Sequence, residues 1–562
     1  MTDLSTPDTT LPDAALPDAA LTNFEIAERF VQIADILEIQ GENPFKVRAY
    51  RTAASTINDL EDSLAEIAAR GKLAEIPGFG PAIVGKVQDF LETGTTALWD
   101  RVKDAVPRGV VEIAQVPGIG VKTVKTLWET LKVDSVAALH EAAKAEKVRD
   151  LPGFGPAKEK KLIENIEKWY RLNERTPRYL AMTWAVRVAR RLTVAPEVAQ
   201  VEIAGELRRG CDTVAENPVL YSGPDLAATD PLLLANSGVT VHVTSANRWG
   251  SELCRLTGPE THWNALRARA DDRQVDVSAF ATEEALYDSL GLPMIPPELR
   301  DWDDVLALSE RGELPHLITE ADFRGQLHEH STWSDGTATM RQMAEAALAR
   351  GYAYLAITDH SRSLVIANGL NRERHLAQLD EIAALNTEFA GRITLLAGIE
   401  ADILADGSLD CDDDILERLD LVVGSVHIRH REDEAGMTRR ICTALENPHL
   451  TILGHPTGRL LGRREPYPVD MDAVIECAAK HKKVLEINAS PDRMDLNDTY
   501  ARRAKDAGVL LTINADAHST AGLGLLPWGL CMARRAGLTP EDVVNTFPLQ
   551  RLRDTVLRVQ SG

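Results

Sequence analysis

The chain has 562 residues, of which 26% are charged and 44% hydrophobic, and its formal net charge is −23. This length is too great for one hydrophobic core, so we expect three or four domains. The acidic charge argues against broad, charge-driven binding of DNA. The sequence has no run of about 18 apolar residues, so we expect no membrane span and no membrane partner.

The first 22 residues repeat an acidic "LPDAA" unit and lack the basic start of a secretory signal. We interpret residues 1–22 as a disordered tail. The six cysteines form no CxxC pair, which argues against a disulfide framework or a cysteine zinc site and suits a reducing compartment. We therefore expect a cytoplasmic protein.

Helical patterns follow from Asn23 onwards, and one short unit occurs in them three times: "IPGFGPAIVGKV", "VPGIGVKTVKTL" and "LPGFGPAKEKKL". Each glycine pair allows a tight turn whose N–H groups meet at the start of the next helix, which is an anion-binding arrangement. One copy could equally be an ordinary turn. Three copies predict helix-hairpin-helix modules that hold the DNA backbone without reading its sequence. The predicted DNA-binding residues are Gly78, Gly80, Gly118, Gly120, Gly153 and Gly155.

An α/β pattern begins at Thr176–Pro177, with a helix, a strand in "AQVEIAG" and further strand-like stretches in "VTVHVTS" and "RQVDVSAF". Between them lies "AGELRRGCDTVAENP" (Ala204–Pro218), which has the frame of a nucleotidyl-transfer motif. The acids expected in such a motif are missing. Two-metal transfer depends on carboxylates fixed around a pair of ions, so the motif alone does not predict an active polymerase.

After about Leu314 the alternation of strand, loop and helix occurs about seven times, which predicts a distorted seven-stranded β/α barrel. Histidines and acids end its apolar runs, where the active sites of such barrels lie. Imidazole and carboxylate without thiolate suit Zn²⁺, Mn²⁺ or Fe²⁺, and nine ligands are enough for three ions. The predicted metal ligands are His328, His330, Asp335, His360, Glu400, His427, His455, Asp516 and His518.

These motifs carry a resemblance to a known family. The barrel resembles the PHP (polymerase and histidinol phosphatase) domain, and the chain from Asn23 to its end resembles the bacterial family X DNA polymerases that carry a C-terminal PHP domain. The stretch "ILGHPTGRLLGRREPYPVD" is especially characteristic. The resemblance implies that one ion is held by His328, His330, Glu400 and Asp516, a second by Glu400, His427 and His455, and a third by Asp335, His360 and His518.

The resemblance also implies how the chain is divided. A helical lyase-like domain with a helix-hairpin-helix would span 23–105, and a helix-hairpin-helix DNA-binding region would span 106–176. A degenerate polymerase palm and thumb domain would follow at 177–316, and the PHP metal phosphoesterase domain at 317–562.

Substitutions in the polymerase motif predict that nucleotidyl transfer is lost. Glu206 stands where the family has a phosphate-binding serine, and Glu216, Pro218 and Thr240 stand where it has three metal-binding aspartates. Proline and threonine cannot replace those carboxylates. A gap-filling polymerase with substitute acids remains an alternative.

Three further residues are candidates for catalysis. Lys86 matches a lysine that opens abasic sugars through a Schiff base in some family X polymerases, with Lys46 and Tyr50 as its phosphate-side partners; an ordinary solvated lysine is the alternative. Arg459 and Arg493 follow strand ends and are candidates for binding phosphate oxygens, or else for surface salt bridges.

We therefore expect a DNA repair enzyme whose PHP domain uses three divalent ions, manganese or zinc with iron as a further candidate. The expected reaction is 3′→5′ exonuclease cleavage, with 3′-phosphatase or abasic-site cleavage as extensions, on gapped, nicked or 3′-recessed DNA. The alternatives are a small-molecule phosphatase of the histidinol-phosphate type and a non-catalytic DNA-binding scaffold.

Overall fold

The computed structural model describes residues 23–58, 64–224 and 238–557. The chain divides into two compact units, Met1–Glu174 and Arg175–Gly562. The predicted disordered tail at 1–22 lies outside the described residues, and the finer predicted boundaries stay predictions. Within the described ranges, no helix has both the length and the apolar character needed to cross a membrane.

The N-terminal unit consists of helices and turns over its described residues, as the sequence predicted. Its core forms because apolar residues recur at helical spacing, so that Phe30 meets Tyr50 and Phe90 at ring-centroid distances of 5.7 and 5.8 Å. The helices span Asn23–Ile39, Pro44–Asn58, Leu64–Ala69, Pro81–Thr93, Ala97–Val102, Arg108–Ile113, Val121–Leu131, Val136–Lys144 and Pro156–Asn173.

The C-terminal unit begins with a small α/β region. Its strands are β1 (Thr176–Pro177), β2 (Gln200–Ile203), β3 (Thr213–Val214), β4 (Pro218–Ser222) and β5 (Thr240–Thr244). β4 lies between β2 and β5, antiparallel to the first and parallel to the second, and β1 pairs with β3. The helices span Arg178–Thr193, Gly205–Arg208, Trp249–Thr257, Glu260–Arg273, Glu283–Ser289 and Val305–Arg311.

The strand predicted for "RQVDVSAF" is wrong. A helix ends at Arg273, and the residues that follow it to Phe280 form turns. Val275, Val277 and Phe280 alternate with polar residues because they pack on the local core from a loop. The backbone of Phe280 bonds to Ser251, whose Oγ accepts from Phe280 N at 2.9 Å, so no neighbouring strand is needed.

The rest of this unit is a parallel seven-stranded sheet that curls into a nearly closed barrel, as predicted. The strands follow one another in chain order, and at the seam His330 N donates to Ala517 O at 2.9 Å. The strands are β6 (Gly325–Gln326), β7 (Tyr354–Ile357), β8 (Thr394–Asp402), β9 (Leu421–Ser425), β10 (Ile452–Leu453), β11 (Val484–Asn488) and β12 (Leu511–Asn514). The helices span Met340–Ala349, Arg372–Phe389, Asp413–Leu416, Glu434–Glu446, Met471–His481, Asp498–Asp506, Leu526–Arg535 and Leu549–Thr555.

A buried ion-pair network holds the α/β region together. Arg300 Nη1 donates to Glu283 Oε1 at 2.8 Å, and Arg208 Nη2 donates to Glu283 Oε2 at 2.5 Å. Burial raises the pKa of Glu283, but the two guanidinium groups outweigh it and hold the pKa at about 2. Arg208, a residue of the polymerase-like frame at 204–218, therefore stabilises the fold through its ion pair with Glu283.

We predict that Glu283→Gln lowers the free energy of unfolding by about 3–5 kcal/mol at pH 7, because it leaves the Arg300 charge buried without a partner. The Glu283 pKa is depressed on folding, so its contribution is present above its ordinary pKa near 4.5 and is lost as the pH falls towards 2. Urea denaturation between pH 3 and pH 7 measures this. Glu313→Gln, which breaks an exposed pair with Arg311, is the control and should cost at most about 1 kcal/mol. Equal losses for both variants would contradict the prediction.

Candidate metal centre

The parallel strands bring most of the predicted ligands to one end of the barrel. Glu400 lies within β8, and His427, His455 and Asp516 each come two residues after the end of β9, β10 or β12. His455 and Asp516 have positive φ values of 26° and 52°. Such backbone conformations are unfavourable for residues with side chains and are typical of functional sites.

His328 and His330 differ from expectation in one respect. Their spacing of two residues predicts that both lie on one strand, but β6 ends at Gln326 and both histidines lie just beyond it. The extended backbone still directs both side chains to one place. Their Nε2 atoms lie 3.4 and 3.5 Å from Glu400 Oε2, and 3.7 and 3.0 Å from Asp516 Oδ1.

Glu400 lies at the centre of the cluster. Its Oε2 faces His328, His330 and also His360, whose Nδ1 lies 2.8 Å away. Its Oε1 lies 3.1 Å from His455 Nε2 and 3.3 Å from His427 Nε2. The side chain is fully buried. One carboxylate thus faces two separate groups of imidazoles, the geometry expected of a bridging ligand.

A third group lies at the open side of the site. Asp335 approaches His360 Nε2 at 3.7 Å and His518 Nε2 at 3.4 Å. The side chains of Asp335 and His518 are 34% and 38% exposed, in contrast to the closed pocket around Glu400. This side is therefore where a bulky substrate can approach.

Three sets of ligand atoms lie close enough to share an ion, with all atoms of a set within 4.8 Å of one another. They overlap with the predicted division and differ from it in three ways: His330 also belongs to the third set, His360 also belongs to the second set, and His455 and Asp516 are outside all three. The sets are His328, His330 and Glu400; His360, Glu400 and His427; and His330, Asp335, His360 and His518.

Unpaired buried atoms show that these residues suit divalent ions. His328 Nε2, His330 Nε2, Glu400 Oε2 and Asp516 Oδ1 are buried and make no hydrogen bond within the described residues. Each such atom costs about 1–3 kcal/mol when it has no partner. A cation at the common centre of these atoms would satisfy them together, and imidazole with carboxylate is a suitable donor set for Zn²⁺, Mn²⁺ or Fe²⁺.

The charges of the site keep its acids ionised. Burial raises the pKa of Glu400 and Asp516, but the surrounding histidines outweigh it and hold both well below their usual range. Burial lowers the pKa of His427, whereas Glu400 and Asp402 raise it, to about 10. The two central acids are therefore available as ligands throughout the physiological pH range.

Two buried acids that the sequence analysis missed orient the ligands. Glu486 Oε1 lies 2.8 Å from His328 Nδ1, and Asp402 Oδ1 lies 2.7 Å from His427 Nδ1. A carboxylate at Nδ1 leaves Nε2 as the free donor atom and fixes the ring plane. The available signal was an acid inside an apolar strand, as in "VLEIN".

The two predicted phosphate-binding arginines have different surroundings. Arg459 Nη1 donates to Asp212 Oδ2 at 2.7 Å, its Nε donates to Arg493 O at 2.9 Å and its Nη2 donates to Met494 O. The guanidinium of Arg493, by contrast, has no hydrogen bond or ion pair among the described residues. These contacts favour Arg493 over Arg459 as the group that binds a phosphate.

The three glycine turns of the N-terminal unit share one geometry. Gly78, Gly118 and Gly153 have φ values of 81°, 80° and 86°, a conformation that favours glycine. The second glycine of each pair is the N-cap of the helix that begins at Pro81, Val121 or Pro156.

Among the described residues, nothing requires glycine at the second position of each Gly-x-Gly turn. Gly80, Gly120 and Gly155 have ordinary or extended φ values, and a Cβ built on any of them would meet no atom within 4 Å. Neither the backbone conformation nor packing among the described residues demands glycine at these positions, so each leaves room for close approach of an external group. That pattern supports the predicted DNA-backbone contacts.

Lys86 lies on an exposed helix of this unit beside the two predicted partners. Its Nζ is 2.9 Å from Ala82 O and 5.8 Å from the ring centroid of Tyr50. Burial and, to a smaller extent, the Lys46 charge lower the pKa of Lys86, although Asp89 opposes them. A lowered pKa increases the neutral amine that a Schiff base requires.

The positions that the resemblance assigns to the polymerase ligands lie close together in the α/β region. Pro218 and Thr240 are direct neighbours across β4 and β5, so the two positions assigned to aspartates do adjoin. Glu206 is engaged internally, since its carboxylate accepts from Arg175 Nη2 at 2.5 Å and from Ala215 N at 2.6 Å. The place of the phosphate-binding serine thus holds a carboxylate that is paired within the chain.

Three family models match parts of the chain. A helix-hairpin-helix domain matches residues 21–96, a SAM-like helix-hairpin-helix tandem matches residues 110–168, and a PHP domain matches residues 326–490. Among solved structures, a histidinol phosphate phosphatase from Lactococcus lactis with zinc, L-histidinol and phosphate is similar over 38% of this chain and 94% of its own, with 18% identity and a TM-score of 0.31.

Relatives of two kinds are similar in sequence. Proteins named probable phosphatase, from Thermoanaerobacter sp. (strain X514) and Escherichia coli O81, are 30% and 28% identical over 39% and 40% of this chain and 89% and 87% of their own. A Bacillus subtilis protein named DNA polymerase/3′-5′ exonuclease PolX is 34% identical over 92% of this chain and 96% of its own. The chain therefore belongs to the bacterial PolX family, with helix-hairpin-helix regions in its N-terminal half and a PHP domain at its C-terminal end.

Proposed function

We propose that the PHP domain hydrolyses phosphodiester bonds at DNA 3′ ends, as a metal-dependent 3′→5′ exonuclease with 3′-phosphatase or abasic-site cleavage as related reactions. The observation that carries the proposal is the Glu400 carboxylate, whose Oε2 faces three histidines and whose Oε1 faces two others. The Bacillus subtilis relative is named for a polymerase and a 3′-5′ exonuclease. In this chain the residues suited to hydrolysis persist, whereas those suited to polymerisation do not.

The proposed site holds three divalent ions, manganese or zinc with iron as a further candidate. Such ions supply Lewis-acid chemistry, which generates a nucleophile from water near neutral pH and polarises a phosphoryl group. The proposed ligands are His328, His330, Glu400 and Asp516 for the first ion; Glu400, His427 and His455 for the second; and Asp335, His360 and His518 for the third.

The chain itself would bind and orient the substrate. Glu486 and Asp402 hold two histidine rings in fixed planes. Arg493 is free to bind a non-bridging phosphate oxygen with a charge-assisted hydrogen bond. The burial of Glu400 keeps bulk water from competing at the closed side, while the exposed rim at Asp335 and His518 admits a strand end.

Two features support DNA over a small phosphomonoester as substrate. Three solvent-facing glycine turns suit backbone phosphates, and a small-molecule phosphatase has no use for them. At the barrel, exposed Arg429 and Arg431 follow the ligand His427. Neither arginine has an ion pair among the described residues, so both charges are available to a polyanionic strand in an otherwise acidic protein.

We further propose that the polymerase activity is lost. Pro218 and Thr240 offer no carboxylate, and Glu206 would repel an incoming triphosphate while it keeps Arg175 engaged. A gap-filling polymerase would need substitute acids beside β4 and β5. Glu216, two residues before Pro218, is the one acid retained at an expected position.

Removal of the bridging carboxylate should abolish hydrolysis. We expect Glu400→Ala to lower cleavage of a 3′-labelled DNA by at least about 100-fold and to lower the bound metal, because ligand and bridge are lost together. His328→Ala combined with His330→Ala should do the same. Affinity for DNA should persist in both proteins. EDTA should stop the wild-type reaction, and Mn²⁺ should restore it better than Mg²⁺, because imidazole ligands favour the softer ion.

The matched control is Glu417→Ala, which removes an exposed acid of the same barrel and should change neither cleavage nor metal content. Undiminished nuclease activity in the Glu400→Ala protein would refute the assignment. Cleavage of small phosphomonoesters alone would place the enzyme with the small-molecule phosphatases, which the barrel-only match to proteins named probable phosphatase would then explain.

Primer extension tests the loss of polymerase activity. We expect none on gapped DNA with any nucleotide and either Mg²⁺ or Mn²⁺. The Glu400→Ala protein is the sharper reagent, because it should not degrade an extension product. Template-dependent extension by the Glu400→Ala protein would contradict the proposal. If extension persisted in the Glu400→Ala/Glu216→Ala double variant, the ligand positions would be wrongly assigned.

The lowered pKa of Lys86 favours a second activity, opening of abasic sugars by a Schiff base. We expect borohydride to trap the protein on DNA with a 5′ abasic end. Lys86→Ala should remove the adduct, whereas the control Lys72→Ala, at an exposed lysine of the same unit, should not. Equal trapping by wild-type and Lys86→Ala proteins would refute this role.

A further inference from the structure

The retained frame of the polymerase motif contacts the metal-bearing barrel directly. Arg535 Nη1 donates to Arg209 O at 3.0 Å, and Asp301 accepts from Arg535 Nη1 at 2.7 Å and from Arg209 Nε at 3.0 Å. Gly210, with φ of 79°, packs so closely that a Cβ there would lie 3.3 Å from Cys531 Cβ. The motif segment thus forms one face of an interface with the helix Leu526–Arg535.

Asp212, in the same motif segment, contacts the end of the barrel that carries the predicted metal ligands. Its carboxylate accepts from Arg459 Nη1 at 2.7 Å, and the side chain of Arg459 is only 11% exposed. The other nitrogens of that guanidinium donate to Arg493 O at 2.9 Å and to Met494 O. Arg459 therefore links Asp212 to the backbone that carries Arg493.

Arg493 lies close to the site. It follows the carboxyl end of β11 by five residues, and its loop is bonded to Thr457 and Arg459, which come two and four residues after the ligand His455. Two other contacts support the same loop, since Thr457 Oγ1 donates to Asp495 Oδ1 at 2.9 Å and Arg493 N donates to Ser490 O at 2.9 Å. The backbone of Arg493 is thus held on both sides, while its guanidinium remains unpaired among the described residues.

We propose that Asp212 is a positioning residue for phosphate binding: it holds Arg459, which fixes the Arg493 backbone so that the Arg493 guanidinium meets a phosphate oxygen. The inference rests on the proposed phosphoesterase function of the barrel. It gives a reason why the frame around Asp212 persists although the polymerase acids are gone. The frame has become a support for the neighbouring active site.

Affinity for inorganic phosphate tests this in the full, Mn²⁺-loaded chain, by calorimetry. Asp212→Asn keeps the shape of the side chain but removes its charge. We expect phosphate affinity to fall about 3- to 10-fold, less than the loss from deleting the Arg493 contact itself. With bis(p-nitrophenyl) phosphate as substrate, KM should rise by a similar factor while kcat changes little. Metal content should equal that of the wild type.

The matched control is Glu298→Gln, which breaks a comparable ion pair between the α/β region and the barrel, Glu298 Oε1 to Arg534 Nε at 2.7 Å. It should lower stability without changing phosphate affinity. The double variant Asp212→Asn/Arg493→Gln should bind phosphate no more weakly than Arg493→Gln alone, because residues that act through one contact are not additive. Asp212→Glu, which restores the charge, should recover part of the affinity.

The proposal would be overturned if the losses of phosphate affinity in the double variant were additive. An equal loss of phosphate affinity in Glu298→Gln, or a loss of bound metal in Asp212→Asn, would also overturn it. If Asp212→Asn fails to fold, Arg459→Lys provides the same test, since an ammonium cannot hold Asp212 and two carbonyls together. A metal-loaded wild type that binds no phosphate would also overturn it. A protein that binds phosphate through Asp212 and Arg493 but cleaves no DNA would refute the DNA substrate and leave this inference standing.

Discussion

The buried carboxylate of Glu400 is the constraint on which the barrel site depends. Burying an ionised acid away from water costs free energy unless positively charged groups surround it. Here histidines from several strand ends surround the carboxylate. The buried pocket around Glu400 therefore holds an ionised carboxylate that is stable only beside the surrounding histidines. A cation bound beside the carboxylate would satisfy the unpaired atoms of His328 and His330 in the same way.

The barrel topology makes this cluster possible. Parallel strands present their carboxyl ends together, so ligands far apart in sequence, such as His328 and Asp516, approach within 3.7 Å. Glu486 and Asp402 then fix the histidine rings from behind. The proposed division of labour follows from charge: backbone amides and a few arginines hold the polyanion, while the acidic remainder of the chain keeps DNA from binding elsewhere.

Much of the fold and site could be predicted because the signals were local. Apolar runs ending in histidine or acid predicted the barrel and located its strand ends, and the repeated Pro-Gly-x-Gly unit predicted the turns. Other features depend on tertiary contacts. The sequence around Glu486 is that of an ordinary strand, and only the fold shows that Glu486 contacts His328. The position of Arg459 suggests a phosphate ligand, and only the fold shows that Arg459 pairs with Asp212. The false strand at Arg273–Phe280 arose because alternating apolar residues can also pack from a loop.

The polymerase-like region keeps the frame of its motif, and the loss of its chemistry is part of the proposed function. Arg208 and Arg209 persist in the motif, and both hold buried or interfacial acids, Glu283 and Asp301. Among the described residues, the positions assigned to the catalytic acids form no comparable ion pair, so Pro218 and Thr240 are compatible with the fold. Retention of a frame therefore indicates a retained fold, and only the ligand positions bear on activity.

Anomalous diffraction from crystals of the Mn²⁺-loaded protein is the most direct test of the central claim, that Glu400 joins two ions in a cluster of three. The account predicts three anomalous peaks at the carboxyl end of the barrel, with one oxygen of Glu400 bound to each of two ions and the third peak beside Asp335 and His518. A single peak, or peaks that leave Glu400 outside their coordination, would contradict it.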